Sequence, residues 1–103
     1  MVNVSIARRY ARALLDVATE AGRADAVSEQ VSTFASLIAD NRELGDVLFN
    51  PAYTREQRLG VVESLIRASG TLDPVLVNTL RLLVDRNRLA YLPDIAQIGR
   101  AHV

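Results

Sequence analysis

The chain has 103 residues, half of them hydrophobic, with twelve basic residues balanced by twelve acidic ones. That length suits one small domain with a modest core, and the zero net charge excludes a global field that would draw the chain to nucleic acid or an anionic membrane. With no cysteine, disulfides and thiolate chemistry are excluded, and a metal would have to rely on one histidine and carboxylates.

Helix punctuation is abundant along the chain and strand signals are nearly absent, with no alternating β-branched run and no Asn-Gly turn. The first predicted helix starts at Ser5, a competent N-cap, and stops at Gly22. Its apolar arc is too wide for one neighbour. Ala7, Ala11, Leu14 and Ala18 make one stripe, and Ile6, Tyr10, Ala13 and Val17 make a second beside it. Together they cover roughly 200°, about twice what a one-sided surface helix needs. The second helix, from Arg23 to Asp40, carries a narrow stripe of Val27, Val31, Phe34 and Ile38 and has one buried side.

A third, short helix over Arg42–Phe49 starts from Asp40 or Asn41 and is closed by Asn50-Pro51, because the residue before proline resists the α region. Thr54-Arg55-Glu56-Gln57 is a capping box that opens the fourth helix, which ends at Ser69 with Gly70 as its stop. Asp73-Pro74 opens the fifth by a cap followed by an N1 proline. Val75, Leu76, Val77, Leu80, Leu82, Leu83 and Val84 cover roughly 220° of that helix, which repeats the anomaly of the first. A sixth begins near Leu92-Pro93-Asp94. Short connections between six helices imply an all-α bundle with antiparallel neighbours. Two over-wide helices in so small a bundle suggest a groove shared between them, since both are hard to bury completely.

Chemistry is scarce. His102 lies one residue from the end, and no nucleophile–base pair can be built around it. The five glycines are isolated and form no phosphate loop. Asp16 and Glu20 are read as a solvated edge rather than a cation or proton site. The segment Met1–Ser5 has neither the charged n-region nor the apolar run of a signal peptide, and no stretch approaches the roughly eighteen apolar residues of a membrane span. The chain therefore reads as soluble, non-enzymatic and without a cofactor. Arg8, Arg9 and Arg12, with Arg86 and Arg88, support a second reading as a small helical RNA-binding domain. Against it stand the neutral charge and the lack of interleaved aromatics. Pairing of Arg8 or Arg12 with Asp16 or Glu20 is the expected explanation of the first three arginines, and the helix dipole that of the last two.

Three segments carry a family resemblance: Ala7-Arg8-Arg9-Tyr10-Ala11-Arg12-Ala13-Leu14, Leu48-Phe49-Asn50-Pro51, and Asn87-Arg88-Leu89-Ala90-Tyr91-Leu92-Pro93-Asp94-Ile95. Over residues 3 to 97 their order and spacing resemble the N-terminal domain of the delta subunit of the bacterial F-type ATP synthase, the relative of the mitochondrial oligomycin sensitivity conferral protein. The resemblance implies a six-helix bundle in the stator, on top of the catalytic head, at the cytoplasmic face of the membrane. It implies that an alpha-subunit N-terminal helix lies between the first and fifth helices, against Ala7, Tyr10, Ala13, Leu14 and Val17 of the first and Asn78, Leu82 and Arg86 of the fifth. It implies no bound nucleotide, no nucleic acid and no insertion into the membrane.

In the family a second, C-terminal domain contacts the peripheral stalk of b subunits. These 103 residues lack it, so the chain is expected to bind the head without reaching the stalk. The final six residues, Ile98-Gly99-Arg100-Ala101-His102-Val103, are also the in-frame translation of a common sequencing-adapter string. Residues 1–97 are therefore expected to form the domain and 98–103 a non-native tail. On that reading the sixth helix is truncated and the bundle only marginally stable.

Overall fold

Four helix starts are set by side chains that accept from free backbone N–H groups, those of Asn3, Asn41, Thr54 and Asp73. The computed structural model describes residues 3–102; Val103 and the side chain of His102, both in the expected tail, lie outside the described residues. Among these residues are six α-helices, α1 (Val4–Glu20), α2 (Ala24–Ala39), α3 (Arg42–Phe49), α4 (Arg55–Ala68), α5 (Pro74–Asp85) and α6 (Leu92–His102), with a single 3₁₀ turn at Leu89–Tyr91 and no strand. Asn41 accepts from the N–H groups of Glu43 and Leu44, and the box at Thr54 is complete, with Thr54 Oγ1 accepting from Gln57 N and Gln57 Oε1 accepting from Thr54 N. Gly22 and Gly70 stop α1 and α4 with φ of 72° and 82°, values that an L side chain resists. The start of α1 differs from expectation. Asn3 rather than Ser5 is the cap, and its side chain accepts from Ser5 N at 2.9 Å. Both residues are good caps, and the earlier one prevails, adding the start of a turn to the helix.

The core is one cluster drawn from every helix. Ala7, Ala11, Leu14, Leu15 and Ala18 of α1 are buried, as are Leu76, Leu80, Leu83 and Val84 of α5 and Leu92, Ile95 and Ala96 of α6. Phe34 of α2 is the largest fully buried side chain. The helix α6 packs on both α1 and α2, and α4 packs on α5. It stays helical to its last described residue, with Ile98 half-buried against the core and Gly99 buried beside Ser28 and Leu15.

Two contacts fix how α1 and α5 run. Arg23, just after α1, donates to the carboxylate of Asp73, the cap of α5, at 2.5 Å. At the other end Arg88, just after α5, donates to the hydroxyl of Tyr10 at 3.1 Å. The end of one helix meets the beginning of the other, so the pair is antiparallel.

Asp73 is the one buried carboxylate among the described residues, its side chain only 6% exposed. It caps Val75 N while its own N–H donates to Gln30 Oε1. The hydrogen bond from Arg23 holds its carboxyl below the ordinary aspartate range; burial opposes this, and Val75 N–H and the Arg23 charge assist. A depressed carboxyl contributes stability that is complete above its unfolded value and is lost as pH falls through the folded one. Asp73→Asn keeps a good cap and removes the ion pair. The variant is expected to melt lower than the native chain at pH 7, and the gap is expected to shrink in melts below about pH 4. An equal gap at both pH values would show that the charge contributes nothing.

Candidate docking groove

The second apolar stripe of α1 is the part the core leaves uncovered. Ile6 and Tyr10 are half-buried, Ala13 is exposed, and Val17 is 50% exposed. The matching edge of α5 has the same spacing, i, i+4, i+7, i+11: Val75 and Thr79 half-buried, then Leu82 39% exposed and Arg86 exposed. Small Ala13 lowers one wall, which leaves room for an approaching backbone.

Of the eight residues expected at the groove, six are accessible and two are not. Ala7 and Leu14 are 0% and 3% exposed; they form the core side of α1 and offer no surface. They fall on the first stripe, a half-turn boundary that only packing resolves. Tyr10 keeps a partly open ring whose hydroxyl accepts from Arg88, with the guanidinium carbon 5.9 Å from the ring centroid. That contact combines a hydrogen bond with a cation–π attraction. Asn78 and Leu82 sit on the outer crest of α5, where they also line a shallow hollow toward Arg55, Leu59 and Glu63 of α4.

Ion pairs close the α4–α5 seam. Arg81 makes two bonds of 2.8 Å to Glu63, and Arg55 reaches Asp85 at 2.6 Å. The hydrogen bond from Arg81 holds the Glu63 carboxyl below its usual range despite partial burial. Between α1 and α5 the one ion pair among the described residues is that of Arg23 with Asp73, at one end of the two helices. Val17 of α1 and Leu82 of α5 stay open, two of the six large apolar side chains exposed among the described residues.

The arginines of α1 differ from expectation. Neither Arg8 nor Arg12 pairs with Asp16 or Glu20, and Arg9 has no carboxylate within 4.0 Å among the described residues. An arginine placed N-terminal to its acid is the weaker order of an i, i+4 pair, and an exposed pair gains little over two hydrated ions. Nor does the helix dipole account for Arg88 as expected, since its guanidinium goes to Tyr10. Among the described residues no cluster of three or more acidic or histidine side chains is placed to hold a metal, and no helix is long and apolar enough to cross a membrane.

Residues 6–101 match the family described as ATP synthase delta (OSCP) subunit. The ATP synthase subunit delta of Myxococcus xanthus (strain DK1622) is 71% identical over 97% of this chain and 56% of its own length. The subunit delta of Anaeromyxobacter dehalogenans (strain 2CP-C) is 45% identical over 98% of the chain and 56% of its own length. That of Citrifermentans bemidjiense is 39% identical over 90% and 51%. The chain thus spans about half the length of the curated relatives it matches.

Proposed function

The chain belongs to the ATP synthase delta (OSCP) subunit family, and on that footing we propose that it is a non-catalytic stator component that captures an alpha-subunit N-terminal helix in the groove between α1 and α5. The observation that carries this reading is the apolar surface the core leaves uncovered on two antiparallel helices, Val17 with Ala13 beside it on one and Leu82 on the other. Apolar anchors at i, i+4 and i+7 are how an amphipathic helix fills such a groove. The contact would help hold the catalytic head still against the turning rotor while other subunits make ATP. The place of action is the cytoplasmic face of the bacterial membrane, as a peripheral part of the complex. Attachment to the b-subunit stalk is assigned to a C-terminal domain beyond these residues.

Titration with a synthetic peptide of the alpha-subunit N-terminus, followed by NMR, tests the reading. Saturable shifts clustered at Tyr10, Ala13, Val17 and Leu82 are expected. A folded chain that binds no peptide, or binds it at Phe49 and Tyr53 instead, would remove the groove from the function.

A further inference from the structure

The charges of α1 stand in an order that the helix itself disfavours. Arg8, Arg12, Asp16 and Glu20 follow one another at intervals of four residues and form one exposed ridge, with Arg9 beside its first half. Cations toward a helix N-terminus and carboxylates toward its C-terminus both oppose the macrodipole, and an arginine four residues before its acid is the weaker order of a pair. The fold offers no compensation. Arg8, Arg9 and Arg12 have no carboxylate within 4.0 Å among the described residues, whereas Arg23, Arg55 and Arg81 each reach one. Beside the ridge, Arg8, Arg12 and Asp16 border a hollow floored by Leu15 of α1 and by Ile98 and Ala101 of α6. A surface that breaks a local rule without a compensating contact inside the chain points to a partner outside it.

We propose that this ridge is the contact surface for a second copy of the chain, docked with the two α1 helices antiparallel. Two basic positions followed at the same interval by two acidic ones are their own complement when read backwards. A two-fold axis midway between Arg12 and Asp16 sets Arg12 of each copy opposite Asp16 of the other, and Arg8 opposite Glu20. That self-matching is what an isologous interface requires. The second copy's Arg12 lays its methylenes over the floor of Ile98 and Ala101 while its guanidinium reaches Asp16, so the long stem covers apolar surface. A parallel pairing sets arginine against arginine and is rejected by repulsion. A nucleic acid fits less well, because Asp16 and Glu20 would repel its phosphates along half of the ridge. The contact uses the outer crest of α1 and stands independently of the reading given to the groove.

Exposed ion pairs are individually weak, so half of the chain is expected to be paired only at roughly 0.5 mM, with about tenfold weaker pairing on going from about 0.05 M to about 0.5 M salt. Translational diffusion measured by NMR over a concentration series reads the association directly. Arg8→Glu with Arg12→Glu in one chain, and Asp16→Arg with Glu20→Arg in another, change only exposed positions. Each variant alone is expected to stay monomeric, and an equimolar mixture of the two is expected to associate within about twofold of the native affinity. The sequence has no cysteine, so a nitroxide on Thr19→Cys marks one place on an unlabelled chain. It should broaden Arg8 and Arg9 of isotope-labelled native chain mixed with it. A native chain that stays monomeric at about 2 mM in low salt would overturn the proposal. So would charge variants that associate like the native chain, or a mixture of them that stays monomeric. Broadening centred on Glu20, or on Phe49 and Tyr53, would overturn the antiparallel ridge contact in a chain that does associate.

Discussion

Leu82→Asp is expected to weaken binding of the alpha-subunit peptide by about a hundredfold and to leave the melting temperature within about 3 °C of the native value. Leu82 is 39% exposed, so the free chain hydrates the new carboxylate without disturbing the core. Arg86, four residues further along the same edge, is exposed and without a carboxylate partner among the described residues, which favours the folded variant slightly. Docking reverses the balance. A helix seated over the position removes water from the carboxylate, and an ion pair taken out of water rarely recovers its desolvation cost. Leu82→Ala, which removes contact area but buries no charge, is expected to cost about tenfold. Peptide titrations of the two variants beside thermal melts decide the matter. Native affinity in a chain carrying the aspartate would place the binding surface elsewhere on the bundle.

What could be read from the residues depended on how local the determining interaction is. Thr54-Arg55-Glu56-Gln57 and Asp73-Pro74 each complete their cap within three residues, so both helix starts were visible. The same holds for Gly22 and Gly70, whose positive φ follows from the lack of a Cβ. Asn3 was missed in favour of Ser5 because two adequate caps stand two residues apart. The over-wide arcs of α1 and α5 correctly pointed to surface left open at Val17 and Leu82. Periodicity does not say where an arc passes from core to rim, so Ala7 and Leu14 were placed on the wrong side of that line. The contacts that orient the groove, Tyr10 with Arg88 and Arg23 with Asp73, join residues 78 and 50 positions apart. No local pattern encodes such pairs. Asn87, whose φ is 55°, is a local stop instead: it is the left-handed residue of a helix C-cap in which Arg88 N–H donates to the Leu83 carbonyl at 2.7 Å, a place asparagine takes after glycine.

Ile95→Ala should produce the opposite dissociation, a large loss of stability with the groove chemistry untouched. Ile95 is 1% exposed on α6, which packs against both α1 and α2. Truncating a fully buried isoleucine costs about 2–5 kcal/mol, because the surrounding helices only partly close the space. A domain of this size has about 5–15 kcal/mol in total, so the melting temperature is expected to fall by roughly 10–30 °C. Ile98, one turn further and only half-buried, should lose less than half as much when truncated, since less apolar area returns to water. A cost at Ile95 no larger than at Ile98 would mean that α6 does not anchor the bundle. Below its transition the Ile95→Ala chain keeps Tyr10, Ala13, Val17 and Leu82 chemically intact, and its peptide affinity should match the native value once the unfolded fraction is counted. Weakened binding by a fully folded Ile95→Ala chain would show instead that α6 holds α1 in the position the docked helix requires.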